Sequence, residues 1–261
     1  IKKISKIIQF YSKNTVWFLL YLLAKLAHFL SNQRYCFTGI KELHALDIFF
    51  VVPNIINQNR FKDLYLTGLT DALDKIGKEY VYIPRWFGSW NPFDFFKVFR
   101  IIKKAKHPVL VEFQILELSD YGRALIYLAT YPFHVTTFAK GLGLSDEDRI
   151  LCFSLWETLD MVTIRNYLSF LYGKRISCLR DLEVKCISWY ENQASNKTLY
   201  RGLRHVPGKV KIYGAQLFLA PSTLLNIIPD EAEIRFGVLP DKILVNGRGC
   251  SLRLKHILEA V

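Results

Sequence analysis

The chain has 261 residues, of which 51% are hydrophobic and 22% are charged. This balance excludes an intrinsically disordered chain and supplies enough apolar residues for one large core or two small ones. The formal net charge is +12, and residues 1–41 carry seven Lys or Arg and no acidic residue, so only +5 remains for the rest of the chain. Basic charge crowded into an apolar segment favours an anionic membrane surface as partner and disfavours nucleic acid.

The first predicted element is this basic amphipathic helical segment, residues 1–41. Its longest apolar run, 15–24, ends at Lys25 after about ten residues, whereas a membrane-spanning helix needs roughly 20. Two alternatives remain open: a helix lying in the membrane interface, or a helix packed on the protein's own core. The residues expected on its apolar side are Trp17, Phe18, Tyr21 and Leu22.

After residue 46, apolar segments of strand length alternate with segments of helical periodicity. Strands are predicted at 47–53, 79–83, 109–113, 184–190, 209–215 and 242–246. Helices are predicted at 64–76, 93–106, 116–131, 146–172, 195–205 and 250–260, with loops at 54–60 and 84–92. Short, nearly continuous apolar strands between helices predict one α/β domain, residues 42–261, with a parallel sheet covered on both faces.

Five cysteines are present: Cys36, Cys152, Cys178, Cys186 and Cys250. No two of them have C-x-x-C spacing, so the sequence indicates neither a disulfide framework nor a zinc site. We therefore expect buried thiols in a reducing cytosol and no metal.

Residues 184–216 predict a strand, a polar corner, a helix and a second strand. The first strand stops at Glu191, Asn192 and Gln193, three hydrogen-bonding side chains in a row. In parallel α/β sheets, ligands bind just outside the carboxyl ends of the strands, so this corner is a candidate site.

The same segment carries a resemblance to a known family. It begins with WYENQ at 189–193 and ends with YGAQ at 213–216, and the helix between them carries Lys197, Tyr200, Gly202, Leu203 and Arg204. This pattern resembles bacterial surface-carbohydrate biosynthesis proteins that are similar to glycosyltransferases of the GT-B type. Residues 47–50, Glu112 and 239–247 are similar more loosely. Family members often have His after the second Gln, and Leu217 stands there instead, so no His-dependent role is expected.

The resemblance implies the N-terminal, Rossmann-like half of a GT-B enzyme, working in the cytoplasm at the inner face of a bacterial membrane. Such an enzyme moves a sugar from a nucleotide sugar, its donor substrate, to a surface-polysaccharide or lipid-linked acceptor, and no further cofactor is expected. The chain starts without Met and stops inside a helical pattern, so we expect it to be part of a longer product. The resemblance implies that a second Rossmann-like domain follows and holds most of the donor contacts. The alternative is a non-catalytic carbohydrate-binding or assembly module, since fold similarity alone does not decide function.

Within this framework Glu191 is the candidate general base or sugar-orienting carboxylate, and its alternative role is to cap the next helix. Asn192 and Gln193 are expected to bind sugar hydroxyls, although amides at turns are often structural. Gln216 and Asn246 stand at the ends of later strands and are expected to face the same crevice.

Two further residues complete the predicted substrate-binding set. Glu112 lies among apolar residues, where an unpaired carboxylate is costly, so it needs either a partner or a function. Lys197 on the helix after the corner could attract phosphate, although a solvated basic face is the commoner explanation. The aromatic residues of loop 84–92 could stack on a sugar ring or fill the edge of the core.

Overall fold

The structure is a computed structural model that describes residues 2–31, 41–143, 145–179, 182–216 and 230–245. Its first half contains α1 (Lys2–Ser31), β1 (Glu42–Asp47), β2 (Phe49–Val51), α2 (Val52–Gln58), α3 (Leu69–Lys75), β3 (Tyr80–Tyr82), β4 (Arg85–Phe87), α4 (Pro92–Lys103) and α5 (Glu112–Ile115). Its second half contains α6 (Leu118–Gly141), α7 (Asp146–Met161), α8 (Ile164–Ser177), β5 (Glu183–Trp189), α9 (Ala194–Leu203), β6 (Val210–Gln216), α10 (Glu231–Arg235) and β7 (Lys242–Val245).

The main sheet has five parallel strands in the order β3-β1-β5-β6-β7. A single parallel bridge between Tyr82 and Val109 adds one more segment beside β3. Counted along the chain with this segment, the order is 3-2-1-4-5-6, which is the order of doubly wound sheets and is compatible with a Rossmann-like fold. All but the first residue of β1 are buried, as expected for a strand covered on both faces. The predicted α/β class with a parallel sheet is confirmed.

The first strand is the main error in the predicted elements. Residues 42–47 form the central strand, which polar Glu42 and His44 hide in the sequence; His44 is buried and its ring lies 3.2 Å from the Glu79 carbonyl oxygen. Beyond Asp47 the chain leaves the main sheet, and β2 pairs only with β4 in a two-stranded parallel ribbon. The predicted loop 54–60 is largely α2, whose first turn contains Pro53, a residue preorganised for a helix start.

Other predicted elements also differ from the structure: helix 64–76 begins only at Leu69 as α3, helix 116–131 continues to Gly141 as α6, and loop 84–92 contains β4. The predicted strand 109–113 is reduced to the Val109 bridge, after which the chain turns into α5; the Leu110 carbonyl oxygen instead accepts a hydrogen bond from the Tyr172 hydroxyl, at 2.5 Å. The single helix predicted at 146–172 is two helices, α7 and α8. They are separated because Thr163 is extended and the Asn14 side chain accepts from the Ile164 amide at 2.7 Å. The predicted helix 250–260 lies outside the described residues.

Helix α1 packs on the rest of the protein through the apolar side that the sequence predicted. Tyr21 is buried, and Trp17, Phe18 and Leu22 are half-buried against the hydrophobic core, so these four residues follow the alternative in which the helix packs on the protein's own core. Lys25 attaches α1 to α5 and its C-cap residue by donating hydrogen bonds to the carbonyl oxygens of Phe113 and Leu116, both at 2.7 Å.

A different side of α1 is apolar and exposed. It carries Ile4, Ile8, Val16, Leu19, Leu23, Leu26, Phe29 and Leu30. Within the described part of the chain, Lys3–Ser31 is the one helical stretch whose length and composition would allow it to cross a membrane. The helix is therefore apolar on two sides, and only one of them is used for packing.

Helices α8 and α9 approach each other closely through a pair of glycines. A Cβ atom added to Gly173 would lie 2.5 Å from the Leu199 carbonyl oxygen, and one added to Gly202 would overlap the Phe170 carbonyl oxygen. The missing side chains let the two backbones touch, which sets the short distance between these helices.

Candidate functional site

The carboxyl ends of β1 and β5 mark the point where the strand order reverses, which is where doubly wound sheets bind ligands. Asp47 and Ser188 are register partners there. Asp47 is fully buried; its Oδ1 lies 2.7 Å from Arg85 Nε, and its Oδ2 accepts from the Ser188 hydroxyl at 2.5 Å. Burial raises the pKa of Asp47, and the Arg85 charge and the Ser188 hydrogen bond partly oppose this rise.

The buried pair belongs to a polar network that joins β1, β4, β5 and α9. The Tyr200 hydroxyl donates to Ser188 Oγ at 2.7 Å, and Asn196 Nδ2 donates to the Trp189 carbonyl oxygen at 3.0 Å. Arg85 donates from Nη1 to Ser195 Oγ at 3.1 Å and from Nη2 to the Trp189 carbonyl oxygen at 3.2 Å. Such a network holds the strand ends in one arrangement because its buried groups are joined by hydrogen bonds and by the Asp47–Arg85 ion pair.

Sequence reasoning missed this network as a functional feature. In the sequence, Asp47 is only the first residue of a predicted strand, and Arg85 is only part of the predicted aromatic loop. One signal was available. Asn196 and Tyr200 are four residues apart, so they lie on one face of the predicted helix, and Ser188 stands near the end of the strand before it.

Glu191 lies in the turn that follows β5. Its Oε1 accepts from Trp189 Nε1 at 2.7 Å, and its Oε2 accepts from Gln193 Nε2. The alternative that Glu191 caps α9 is wrong, because Gln193 is the N-cap residue. Its side chain accepts from the Asn196 backbone N–H, and its own backbone N–H donates to Asn196 Oδ1 at 3.3 Å. Glu191 is therefore held by its own turn and is half-buried at the sheet edge.

Asn192 of the predicted corner and Lys197 of α9 both contact α10. Asn192 is buried with a positive φ of 52°, and its Nδ2 donates to Glu233 Oε2 at 3.2 Å. Lys197, predicted to attract phosphate, forms an ion pair with the same Glu233 carboxylate. Gln193 is exposed.

Gln216 is the last residue of β6 and is buried. Trp189 pairs with Ala215, so Glu191 and Gln216 lie at the same edge of the sheet, as predicted. Asn246 lies outside the described residues, although the preceding Val245 pairs with Gln216.

Glu112 lines a cavity of about 180 Å³ next to this network. The cavity is bounded by α1, β4, α5, α8 and α9, and its polar lining includes Tyr21, Arg85, Glu112, Arg165, Ser169 and Ser195. Arg85 and Ser195 thus belong both to the buried network and to the cavity wall. The structure brings Glu112 to the same end of the sheet as the predicted corner.

The environment of Glu112 makes its carboxyl group titrate near neutrality. The side chain is only 7% exposed. Burial raises the pKa of Glu112 from 4.5 to about 7, while the positive charge of Arg165 and a hydrogen bond from Tyr21 act in the opposite direction. Among the residues described, no Lys, Arg or His nitrogen lies within ion-pair distance of this carboxylate. A group of this kind can gain or lose a proton at physiological pH.

Arg165 faces the same cavity and is held by aromatic rings. Its guanidinium lies 4.7 Å from the centre of the Trp17 ring and 5.0 Å from that of Trp90. Its Nη2 donates to the Trp86 carbonyl oxygen at 3.0 Å. The aromatic loop 84–92 therefore serves to position this arginine and to fill the core edge. Trp86 is buried, as the structural alternative for that loop predicted.

No family model, curated protein or solved structure matches the chain. In the described ranges, no group of three or more His, Cys, Asp or Glu side chains could hold a metal ion. The function is therefore inferred from the geometry of the residues themselves.

Proposed function

We propose that this chain is the acceptor-side, N-terminal domain of a GT-B-type glycosyltransferase. Its donor would be a nucleotide sugar, its acceptor a surface-polysaccharide or lipid-linked glycan, and its location the cytoplasmic face of a bacterial membrane. The observation that carries the proposal is the register of β5 and β6, which brings Glu191 and Gln216 to one sheet edge beside the Asp47–Arg85 pair. The strand order and the WYENQ corner support the same assignment.

In the proposed reaction, an acceptor hydroxyl attacks the anomeric carbon of the donor sugar and the nucleotide leaves with the glycosidic oxygen. The acceptor hydroxyl must lose its proton during the attack, and Glu191 is our candidate to accept it. Gln193 and Gln216 are the candidate amides for sugar hydroxyls at this edge, and Gln193 would have to exchange its hydrogen bond to Glu191 for one to the sugar. Asn192 and Lys197 are already engaged with Glu233, so in this state they support the turn.

A second candidate function is a non-catalytic carbohydrate-binding module. It is favoured by one observation: both carboxylate oxygens of Glu191 already accept hydrogen bonds from Trp189 and Gln193. A carboxylate with both oxygens engaged in this way is better suited to orienting a ligand than to accepting a proton. The two functions differ in whether sugar is transferred or only bound.

The test is sugar transfer by the full-length protein carrying Glu191→Gln. We expect the variant to keep its melting temperature, because the amide is nearly isosteric, and to lose roughly 10²–10⁴-fold in transfer rate. Glu79→Gln is the matched control, since Glu79 is exposed and precedes β3 at the opposite edge of the sheet. Unchanged transfer with a lowered melting temperature would remove Glu191 from the chemistry, and sugar binding without any transfer would favour the binding module.

A further inference from the structure

The cavity beside the corner contains one positive charge that no acidic group neutralises directly. Arg85 is paired with Asp47, so its charge is balanced within the buried network. Arg165 has no such partner, because no carboxylate of the described segments lies within 4.0 Å of its guanidinium. Its contacts are two tryptophan rings, a backbone carbonyl oxygen and the Tyr21 hydroxyl. Stacking fixes the plane of the guanidinium and leaves its charge available to a ligand.

The backbone around Arg165 adds positive potential. Arg165 is the second residue of α8, a helix of 14 residues whose first turn has no acidic side chain and whose N-cap residue Thr163 makes no capping hydrogen bond. Ser195, on the opposite wall, is the second residue of α9, which also has no acidic residue in its first turn. Helix N-termini attract anions through their free amides and their dipole, so they reinforce the charge of Arg165.

Glu112 is the one acidic side chain in the cavity wall. The groups that face it are Arg165 and Tyr172 from α8, Tyr21 from α1 and Tyr121 from α6. A neutral Glu112 would be able to donate a hydrogen bond to an anion, whereas an ionised Glu112 would repel it. Occupation of the cavity by an anion is therefore coupled to protonation of this carboxyl group.

We propose that the cavity lined by Arg165, Glu112 and Ser169 binds a single phosphate or carboxylate group. Its volume of about 180 Å³ limits the size of the ligand, because pockets for whole small-molecule ligands have volumes of about 300 to 1,000 Å³. One anionic group and part of a sugar ring fit, and a nucleotide does not. That the group belongs to the acceptor rests on the function proposed above, while binding of the free anion does not depend on it.

The first test is calorimetric titration of the full-length protein with inorganic phosphate, with glucuronate and with uncharged glucose. We expect saturable binding of one anion per chain and no comparable binding of glucose. The tighter of the two anions identifies whether the substrate group is a phosphate or a carboxylate. Equal binding of glucose, or no binding of either anion, would overturn the proposal.

Variants locate the bound anion. Arg165→Gln should weaken anion binding by about ten-fold or more, as expected for a hydrogen bond to a charged group. Arg165 also packs on two tryptophan rings, so a second variant that leaves this packing intact is needed. Ser169→Val fills the cavity without removing charge and should weaken anion binding as well. Arg100→Gln is the control, because Arg100 lines a separate cavity bounded by exposed Lys97 and Lys104. A loss in Arg100→Gln with none in Arg165→Gln would place the anion in that other cavity and overturn the assignment.

A pH series separates anion recognition from a structural role of Glu112. Glucuronate keeps its charge from about pH 6 to about pH 8.5, so its own titration does not intervene. We expect its affinity to fall several-fold over this range, and to become independent of pH in Glu112→Gln. The same pH dependence in both proteins would refute the coupling. Transfer that survives while anion binding fails refutes only this site, and anion binding that survives while transfer fails refutes only the proposed function.

Discussion

Nε of Arg85 lies 2.7 Å from Oδ1 of Asp47. This contact lies where the chain leaves β1, which pairs with β5, and enters β2, which pairs with β4. The aspartate is fully buried and the arginine side chain is 10% exposed. The pair therefore links the end of the central strand to the two-stranded ribbon beyond it. Because Arg85 also contacts Ser195 and Trp189, the pair fixes the wall shared by the crevice and the cavity.

Asp47→Asn should be strongly destabilising. The substitution leaves the Arg85 charge buried and uncompensated, which typically costs about 3–5 kcal/mol. Denaturant unfolding should show this loss, with Asp146→Asn as the control. Asp146 forms an exposed ion pair with Arg149 at 3.5 Å, and such pairs contribute about 0–1 kcal/mol. Similar losses in the two variants would show that the Asp47–Arg85 pair is not the structural link described here.

Glu112 should make the stability of the protein fall as the pH rises. Its pKa is about 7 in the folded protein and 4.5 ordinarily, so between these values the folded state retains a proton that the unfolded state has released. Unfolding free energy should therefore decrease from about pH 4.5 to about pH 7 and stay at the lower value above. Glu112→Gln should remove this component and stabilise the protein by up to about 3 kcal/mol at pH 8. A variant that is no more stable than the parent at pH 8 would contradict this.

Substitution of glycine by alanine should have opposite effects at Gly202, which belongs to the glycine pair between α8 and α9, and at Gly122, which does not. Gly202→Ala should destabilise by about 1–3 kcal/mol, because the new methyl group meets the backbone of α8. Gly122→Ala in α6 meets open space, so it should stabilise the helix by about 0.5–1 kcal/mol. Thermal unfolding of both variants is sufficient, and a neutral Gly202→Ala would mean that the helices can separate without cost.

The exposed side of α1 predicts membrane association. Replacing Leu19, Leu23 and Leu26 by Gln should lower binding to vesicles of anionic lipid, since these side chains are 54%, 43% and 51% exposed and are not needed for packing. High salt should weaken the binding of the parent protein through its basic residues. Ile76→Gln on the distant C-cap of α3 is the control. Equal vesicle binding by the triple variant and the parent would exclude this surface as the membrane contact. Deletion of residues 1–41 is a poorer test, because Phe10, Tyr21, Ala24 and Ala27 belong to the core.

The sequence predicted β5, α9 and β6 to within about two residues, because apolar alternation, a polar corner and helical spacing agree there. It misplaced β1, since a buried His44 and a partly buried Glu42 make a central strand look like a polar segment. It also predicted a strand at 109–113 that is not formed, because apolar character alone does not distinguish a strand from an extended segment leading into a helix. Local patterns were reliable only where several signals coincided.

The candidate site was predicted in part. Glu112 stood out because a carboxylate among apolar residues needs compensation, and Glu191 and Gln216 stood out as strand ends. Arg165 and Tyr21, which determine the environment of Glu112, gave no local signal. Their relevance arises from contacts between α1, α5 and α8, and no spacing along the chain indicates those contacts.

Helix α1 also affects the order in which the protein assembles. Asn14 accepts a hydrogen bond from the amide of Ile164, 150 positions away, and Trp17 stacks on Arg165, so the cavity requires the closure of a very long loop. Contacts of high sequence separation cost loop entropy and slow folding. The β5–α9–β6 unit, in contrast, consists of neighbouring segments. During synthesis, therefore, α1 has to wait until α8 has been made before the pocket around Glu112 and Arg165 can form.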